Sequence, residues 1–403
     1  MAAMRRSAMK YVLLVAFAAS ALAAGYLVSI STQYREVSSI ARGVKDFKEL
    51  SERLVALSEK KGADYVFEVL KRVELPANTD LHLLGHVVGD ELYKQRGVDG
   101  IAICTQDFRN ACSHSIVIGA LNEFGGEPAL ELIRDACKKA PGGPGAYTMC
   151  YHGLGHGVLA FYGYDFAPTV KLCKESGTEE YHDREYVECV GGAVMELVGG
   201  GGHDRDLWLA SRARYLKDEE PLSPCMSDVI PENIKSLCLV YLTPRLWEIA
   251  GIDLGRPDPV LFPKAFASCD ELPRSQQELR DACFGGFGKE FVPLAGARDI
   301  RGVDRLSDQT YMLAIDWCGA APAPDGRSAC ISEALASIFW GGENDPEASF
   351  RFCSLVKDPE MISACYERLA LDIRSYVRGP KQDAFCARIP EPQRGICDAV
   401  TPL

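Results

Sequence analysis

The chain has 403 residues, 47% of them hydrophobic, which is enough for two or three domains or for one extended repeat array with an ordered core. Its formal charge is −12, and Lys and Arg are scattered among acids with no basic run, so no phosphate-tracking surface is expected and nucleic acid is not expected as a partner. Acidity of this size is a solubility feature.

Arg5, Arg6 and Lys10 precede an uncharged apolar run at residues 11–30. Twenty such residues cross a bilayer as a helix at about 1.5 Å per residue. The positive flank places the N-terminus in the cytoplasm and the rest of the chain outside, in a periplasmic or extracellular space. A cleaved signal peptide is the alternative, because Ala21-Leu22-Ala23 supplies a small-x-small site, and the protein would then be secreted. The apolar run continues through Tyr26-Leu27-Val28, so residues 1–31 read as a membrane anchor. Residues 32–78 follow as a helical stalk or cap. Phe47, Leu50, Leu54 and Leu57 recur at helical spacing, Lys60-Lys61-Gly62 breaks the run, and Ala63 opens a second helical segment that reaches Leu75 before Pro76.

From there the sixteen cysteines fall into eight successive couples. Cys104 goes with Cys112, Cys137 with Cys150, Cys173 with Cys189 and Cys225 with Cys238. Cys269 goes with Cys283, Cys318 with Cys330, Cys353 with Cys365 and Cys386 with Cys397. An amphipathic helix ends near the first member of a couple, as in Ala129 through Cys137, and a loop such as Pro141-Gly142-Gly143-Pro144 follows. The second member opens the next helix. No alternating run is long enough for a sheet, so the fold class is all-α: a disulfide-stapled helical-hairpin repeat array, an α-solenoid or, if strongly curved, an α/α toroid. Residues 79–203 form its His-rich part and residues 204–403 a part with structural staples only. An exported chain with an even Cys count is where structural disulfides are expected. Zinc-knuckle ligation is disfavoured, because no C-x-x-C occurs and at least seven residues separate the members of every couple. Absence of C-x-x-C-H excludes ordinary c-type haem attachment.

Five of the seven histidines share a register. His152 and His156 stand two and six residues after Cys150, and His114 two after Cys112. His82 and His86 fit the same frame with Asp80 in the cysteine's place. Side chains at i and i+4 share a helix face, the spacing by which one helix offers two imidazoles to one ion. The Glu of H-E-x-x-H is missing, so the metalloprotease reading fails. In a straight array His82 and His152 would lie roughly 16–20 Å apart, given helix spacings of about 8–10 Å. Either His114 therefore joins one outer pair in a three-His site with an open fourth position, or sharp curvature draws all five inward around two metals. Gly85, Gly153, Gly155 and Gly157 permit the close helix packing this needs. Imidazole ligation suits Zn, Cu or Fe, and bis-His ligation of a non-covalent haem is a lesser alternative. Asp90 and Glu123, farther along the same helices, are the candidate catalytic carboxylates for metal-assisted hydrolysis or oxidation.

His182-Asp183 and His203-Asp204 read as surface loops, since the remaining ligands of an HD-type phosphohydrolase are missing, and Gly199 to Gly202 lack the Gly-Lys-Ser/Thr of a P-loop. Ser113 and Ser115 flank His114 without a G-x-S-x-G nucleophile elbow. The chain resembles disulfide-containing α-helical repeat arrays in general and carries the motif set of no named family, so no activity is carried over. Two functions remain: an extracytoplasmic metal-binding protein, as hydrolase or oxidoreductase if catalytic, or a non-catalytic scaffold for a protein or peptide outside the membrane.

Overall fold

The computed structural model describes residues 39–200, 205–341 and 346–399, and among them no β-strand forms. The apolar run at 11–30, read above as an anchor or signal, lies outside the described residues, as does His203. No described helix is long and apolar enough to cross a membrane. Two compact units divide at Pro76 and Ala77.

The first unit contains helices α1 (Phe47–Lys61) and α2 (Ala63–Leu70). Asp46 caps α1 by accepting from the Glu49 amide, and Gly62, at φ 97°, makes the break. Helix α2 ends at Leu70 rather than at Leu75 as expected from the sequence. The residue before a proline is driven out of the α region, which keeps Leu75 out of a helix.

The second unit is a row of long central helices with shorter ones packed beside them. Helix α3 (Leu81–Arg96) is followed by α4 (Ala111–Phe124), α5 (Gly126–Cys137), α6 (Gly143–Phe161), α7 (Phe166–Ser176) and α8 (Arg184–Gly199). Then come α9 (Arg205–Tyr215), α10 (Lys235–Tyr241), α11 (Thr243–Ala250), α12 (Phe262–Asp270), α13 (Gln277–Ala295), α14 (Asp308–Gly319) and α15 (Pro324–Gly341). Helices α16 (Pro346–Leu355), α17 (Pro359–Tyr376), α18 (Pro380–Cys386) and α19 (Arg394–Asp398) complete it. Helices α3, α4, α6, α8, α10, α13, α15 and α17 pack one on the next in that order.

All eight expected cysteine couples are joined. Cys104 bonds to Cys112, Cys137 to Cys150, Cys173 to Cys189 and Cys225 to Cys238. Cys269 bonds to Cys283, Cys318 to Cys330, Cys353 to Cys365 and Cys386 to Cys397. Their Cα–Cα distances of 5.3–5.8 Å match ordinary disulfide geometry. No described cysteine is free. Closing loops of this length stabilises the fold by roughly 3 kcal/mol each in the chain-entropy account.

The place of the second cysteine in its helix needs correction. Only Cys112 opens its helix as expected, standing directly after Ala111 at the start of α4. Cys150, Cys189, Cys283, Cys330 and Cys365 lie well inside α6, α8, α13, α15 and α17, more than a turn from the start. Cys238 and Cys397 fall within the short helices α10 and α19, after Lys235 and Arg394 have already begun them. In α6, α15 and α17 the residues expected as loop belong to the first helical turn, because proline is pre-organised for that position. Asp358, for instance, caps α17 by accepting from the Glu360 and Met361 amides, with Pro359 at the first helical position. Apart from Cys225, which lies in a run of turns, the first cysteine of each of these staples stands near a helix end, so the bond ties that end into the next helix.

Glycines set how closely the central helices approach. A Cβ at Gly155 would stand 1.8 Å from the Cys189 carbonyl oxygen, and one at Gly288 would stand 1.8 Å from that of Cys330. Both glycines lie five residues after their helix's cysteine, and both meet the cysteine of the next central helix. The same contact thus recurs in both halves of the row. The row also bends back on itself. The Asn78 amide donates to the Ala297 carbonyl at 2.9 Å, Arg298 pairs with Asp80 at 3.4 Å, and Arg109 pairs with Glu290 at 3.2 Å. The start of α3 and the turn before α4 therefore meet α13 and the turn that follows it.

Candidate metal centre

Bending gathers the five histidines. Ring centroids of His82 and His156, on α3 and α6, are 6.4 Å apart, and those of His86 and His156 are 5.9 Å apart. His114 sits among the others, at 5.5–5.6 Å from each of the four rings. Close approach of α4 and α6 makes this possible, since a Cβ at Gly153 would stand 2.4 Å from the His114 Cα. His114, His152 and His156 are buried, while His82 and His86 form the partly exposed edge.

Hydrogen bonds fix the tautomers of three rings. His82 Nδ1 donates to the Phe108 carbonyl at 2.8 Å, since a carbonyl only accepts. Ser115 spends its one hydroxyl proton on the His86 carbonyl at 2.9 Å, so His86 Nδ1 donates to the Ser115 Oγ at 3.1 Å. His156 Nδ1 donates to Glu196 Oε2 at 3.1 Å. Each neutral ring then carries its lone pair on Nε2. This is the outer-shell pattern of metal-ligating histidines, in which the second nitrogen is tied to a carbonyl, hydroxyl or carboxylate.

The Nε2 nitrogens converge. His82 Nε2 and His86 Nε2 are 3.3 Å apart. Two imidazoles on one tetrahedral ion, each at about 2.0–2.1 Å, place their nitrogens about 3.3–3.4 Å apart. One nitrogen from each of His82, His114 and His156 lies within 4.8 Å of the others, a set able to hold a metal ion. His156 Nε2 and both nitrogens of His114 are buried without a hydrogen-bond partner, a costly state for polar atoms unless a ligand meets them. Burial favours the neutral form of His82, His114 and His152, the form in which imidazoles ligate. It lowers the pKa of His82 to about 4 against the opposing Phe108 hydrogen bond, and that of His114 well below the usual value. His152 is lowered as well, by burial first and against the pull of Glu188.

The turn before α4 is built to present these groups. Phe108, Arg109 and Asn110 are consecutive left-handed residues, at φ 56°, 54° and 63°. Such conformations cost of order 1–3 kcal/mol each outside glycine and persist where the surroundings over-determine them. Here the run aims the Phe108 carbonyl at His82 and the Arg109 guanidinium at Glu290.

Asp90 and Glu123 are not part of the cluster. Both are exposed, and Glu123 accepts from the Tyr93 hydroxyl at 2.5 Å. Helix geometry explains this: eight residues from His82 to Asp90 advance about 80° beyond whole turns, and nine from His114 to Glu123 advance about 180°. The carboxylates that do reach the cluster are Glu196, on His156, and Glu188, whose Oε2 lies 3.5 Å from His152 Nδ1. That separation falls outside hydrogen-bond geometry. Met195 also reaches it, with Sδ 3.4 Å from His152 Nε2. The sequence holds the signal for Met195, which stands six residues after Cys189 just as His156 stands six after Cys150. His182, expected in a surface loop, is exposed there. No protein-family model, no curated protein and no solved structure matches this chain.

Proposed function

We propose that this chain is an exported, disulfide-stapled α-helical repeat protein that binds a transition-metal ion through His82, His86, His114 and His156. The convergence of unprotonated imidazole nitrogens carries the reading, above all the 3.3 Å approach of the His82 and His86 Nε2 atoms. Two lone pairs at that distance repel unless a metal ion or an added proton lies between them, and burial of His82 opposes the added proton. The all-imidazole set favours Zn, Cu or Fe over Mg or Ca. All four other rings lie 5.5–5.6 Å from His114, and this crowding argues against a porphyrin plane among them. Eight disulfides support an oxidising space outside the cytoplasm, and the apolar run at residues 11–30 supports anchoring there.

Glu188 and Glu196 serve the imidazoles, and Asp90 and Glu123 stand at the surface, so the geometry favours metal holding over metal-dependent hydrolysis or oxidation. A reacting molecule would approach along the exposed edge formed by His82 and His86. Metal analysis of the purified, disulfide-intact protein tests the proposal. Stoichiometric Zn, Cu or Fe, lost in a His82→Ala/His114→Ala/His156→Ala variant that keeps its helical signal, is the expected result. A metal-free protein that folds normally and takes up none of these ions when offered them would leave the binding scaffold as the better reading.

A further inference from the structure

His152 is the one imidazole of the five that the primary ion does not need, and its surroundings differ from those of the other four. We propose a second, softer metal position formed by the His152 Nε2 and the Met195 thioether, beside His114, that takes copper as Cu(I). The inference rests on the metal-binding reading above and extends it to a second ion of different chemistry.

Nitrogen and sulfur ligands of one tetrahedral ion, at about 2.0 and 2.3 Å, stand about 3.5 Å apart. His152 Nε2 and Met195 Sδ are separated by 3.4 Å. A simple N–H···S hydrogen bond is the competing account. A neutral ring has one N–H, and placing it on Nε2 leaves the Nδ1 lone pair facing the Glu188 carboxylate oxygen at 3.5 Å, which is repulsive. Placing it on Nδ1 suits Glu188 and turns the Nε2 lone pair toward sulfur, where a cation satisfies both donors. His114 stands beside this pair. Both of its nitrogens are buried and without a partner, so one ion leaves the other nitrogen orphaned. Its ring lies 5.5 Å from that of His152. Thioether sulfur selects Cu(I) among the ions that imidazole accepts, whereas the all-imidazole position accepts Zn or Cu(II).

The test is Cu(I) stoichiometry of the full chain, with Cu(I) supplied as its acetonitrile complex under anaerobic, thiol-free conditions so that the disulfides survive. Wild type should retain two copper ions after gel filtration and show a sulfur scatterer in its copper X-ray absorption spectrum. M195L, with its fold checked by far-UV circular dichroism, should retain one ion and lose the sulfur signal. One ion in both proteins and no sulfur scatterer in wild type would overturn the second position and leave the primary site standing. No ion retained by wild type, with Zn and Cu(II) also refused, would overturn both.

Discussion

Helices α6 and α13 occupy equivalent places in the row, and their side chains differ in a telling way. Each presses a glycine five residues after its cysteine against the next central helix, at Gly155 and Gly288. Six residues after the cysteine, α6 carries His156 and α13 carries Lys289. Around Lys289 the charges answer one another. Lys289 and Arg109 both pair with Glu290, and Arg368 pairs with Glu333 and, at 3.1 Å, with Asp372. Burial works against the Glu290 charge, and Arg109 and Lys289 overcome it, holding that carboxyl down at about 2. In the other half, His156 Nε2 and both His114 nitrogens stay without a partner. One backbone frame thus carries a self-neutralised polar lane in one half and an unsatisfied one in the other. The unsatisfied lane is the one proposed to take a metal ion.

The strongest way to break this comparison is to attack the shared frame. Gly155→Val and Gly288→Val should each destabilise the protein by at least about 3 kcal/mol, since the added groups meet backbone rather than movable side chains. Denaturant unfolding with intact disulfides measures this, and tolerance of either variant would contradict the packing account. Swapping the lane chemistry comes next. His156→Ala should weaken zinc binding more than about 100-fold by calorimetry, whereas Lys289→Met at the matching position should alter it less than about threefold. A smaller loss, about 10–100-fold, is expected for Glu196→Gln, because a carboxamide orients the His156 ring without the carboxylate's charge.

The halves should also titrate with opposite sign. His82 is depressed from 6.5 to about 4 in the fold, so between those values the unfolded chain binds more protons and metal-free protein loses stability as pH falls. Asp372 is raised by burial from 3.8 to about 6 against the opposing Arg368, so in that window the fold binds more protons and gains stability as pH falls. Accordingly, His82→Ala should blunt the acid loss of stability below pH 6.5, and Asp372→Asn should steepen it. The smallest effect belongs to Asp90→Asn and Glu123→Gln, both expected to leave metal affinity unchanged. A tenfold loss in either would return those carboxylates to the site.

Residue spacing makes the staples and the histidine register legible. Successive cysteines pair because each loop between them is short, and the frame they set aligns five histidines on successive helices. What spacing does not reveal is where a helix begins: Cys283 and Cys365 look like openers, yet the turns ahead of them are already helical. Curvature is not legible either. It comes from glycine contacts such as Gly155 on Cys189 and from pairs such as Arg109 with Glu290, 181 residues apart, which no local pattern announces. Asp90 shares a helix with His82 without sharing its face, a distinction that eight residues of spacing blur. The charged lane of α13 and α15 emerges only when Lys289 and Glu333 are set beside Arg109 and Arg368, which lie on other helices and turns.

X-ray absorption of the zinc-loaded, disulfide-intact protein tests the central claim most directly. The account predicts at least three imidazoles around the ion, with nitrogen at about 2.0–2.1 Å. A shell of carboxylate and water alone, or the same spectrum from a protein lacking His82, His114 and His156, would contradict it.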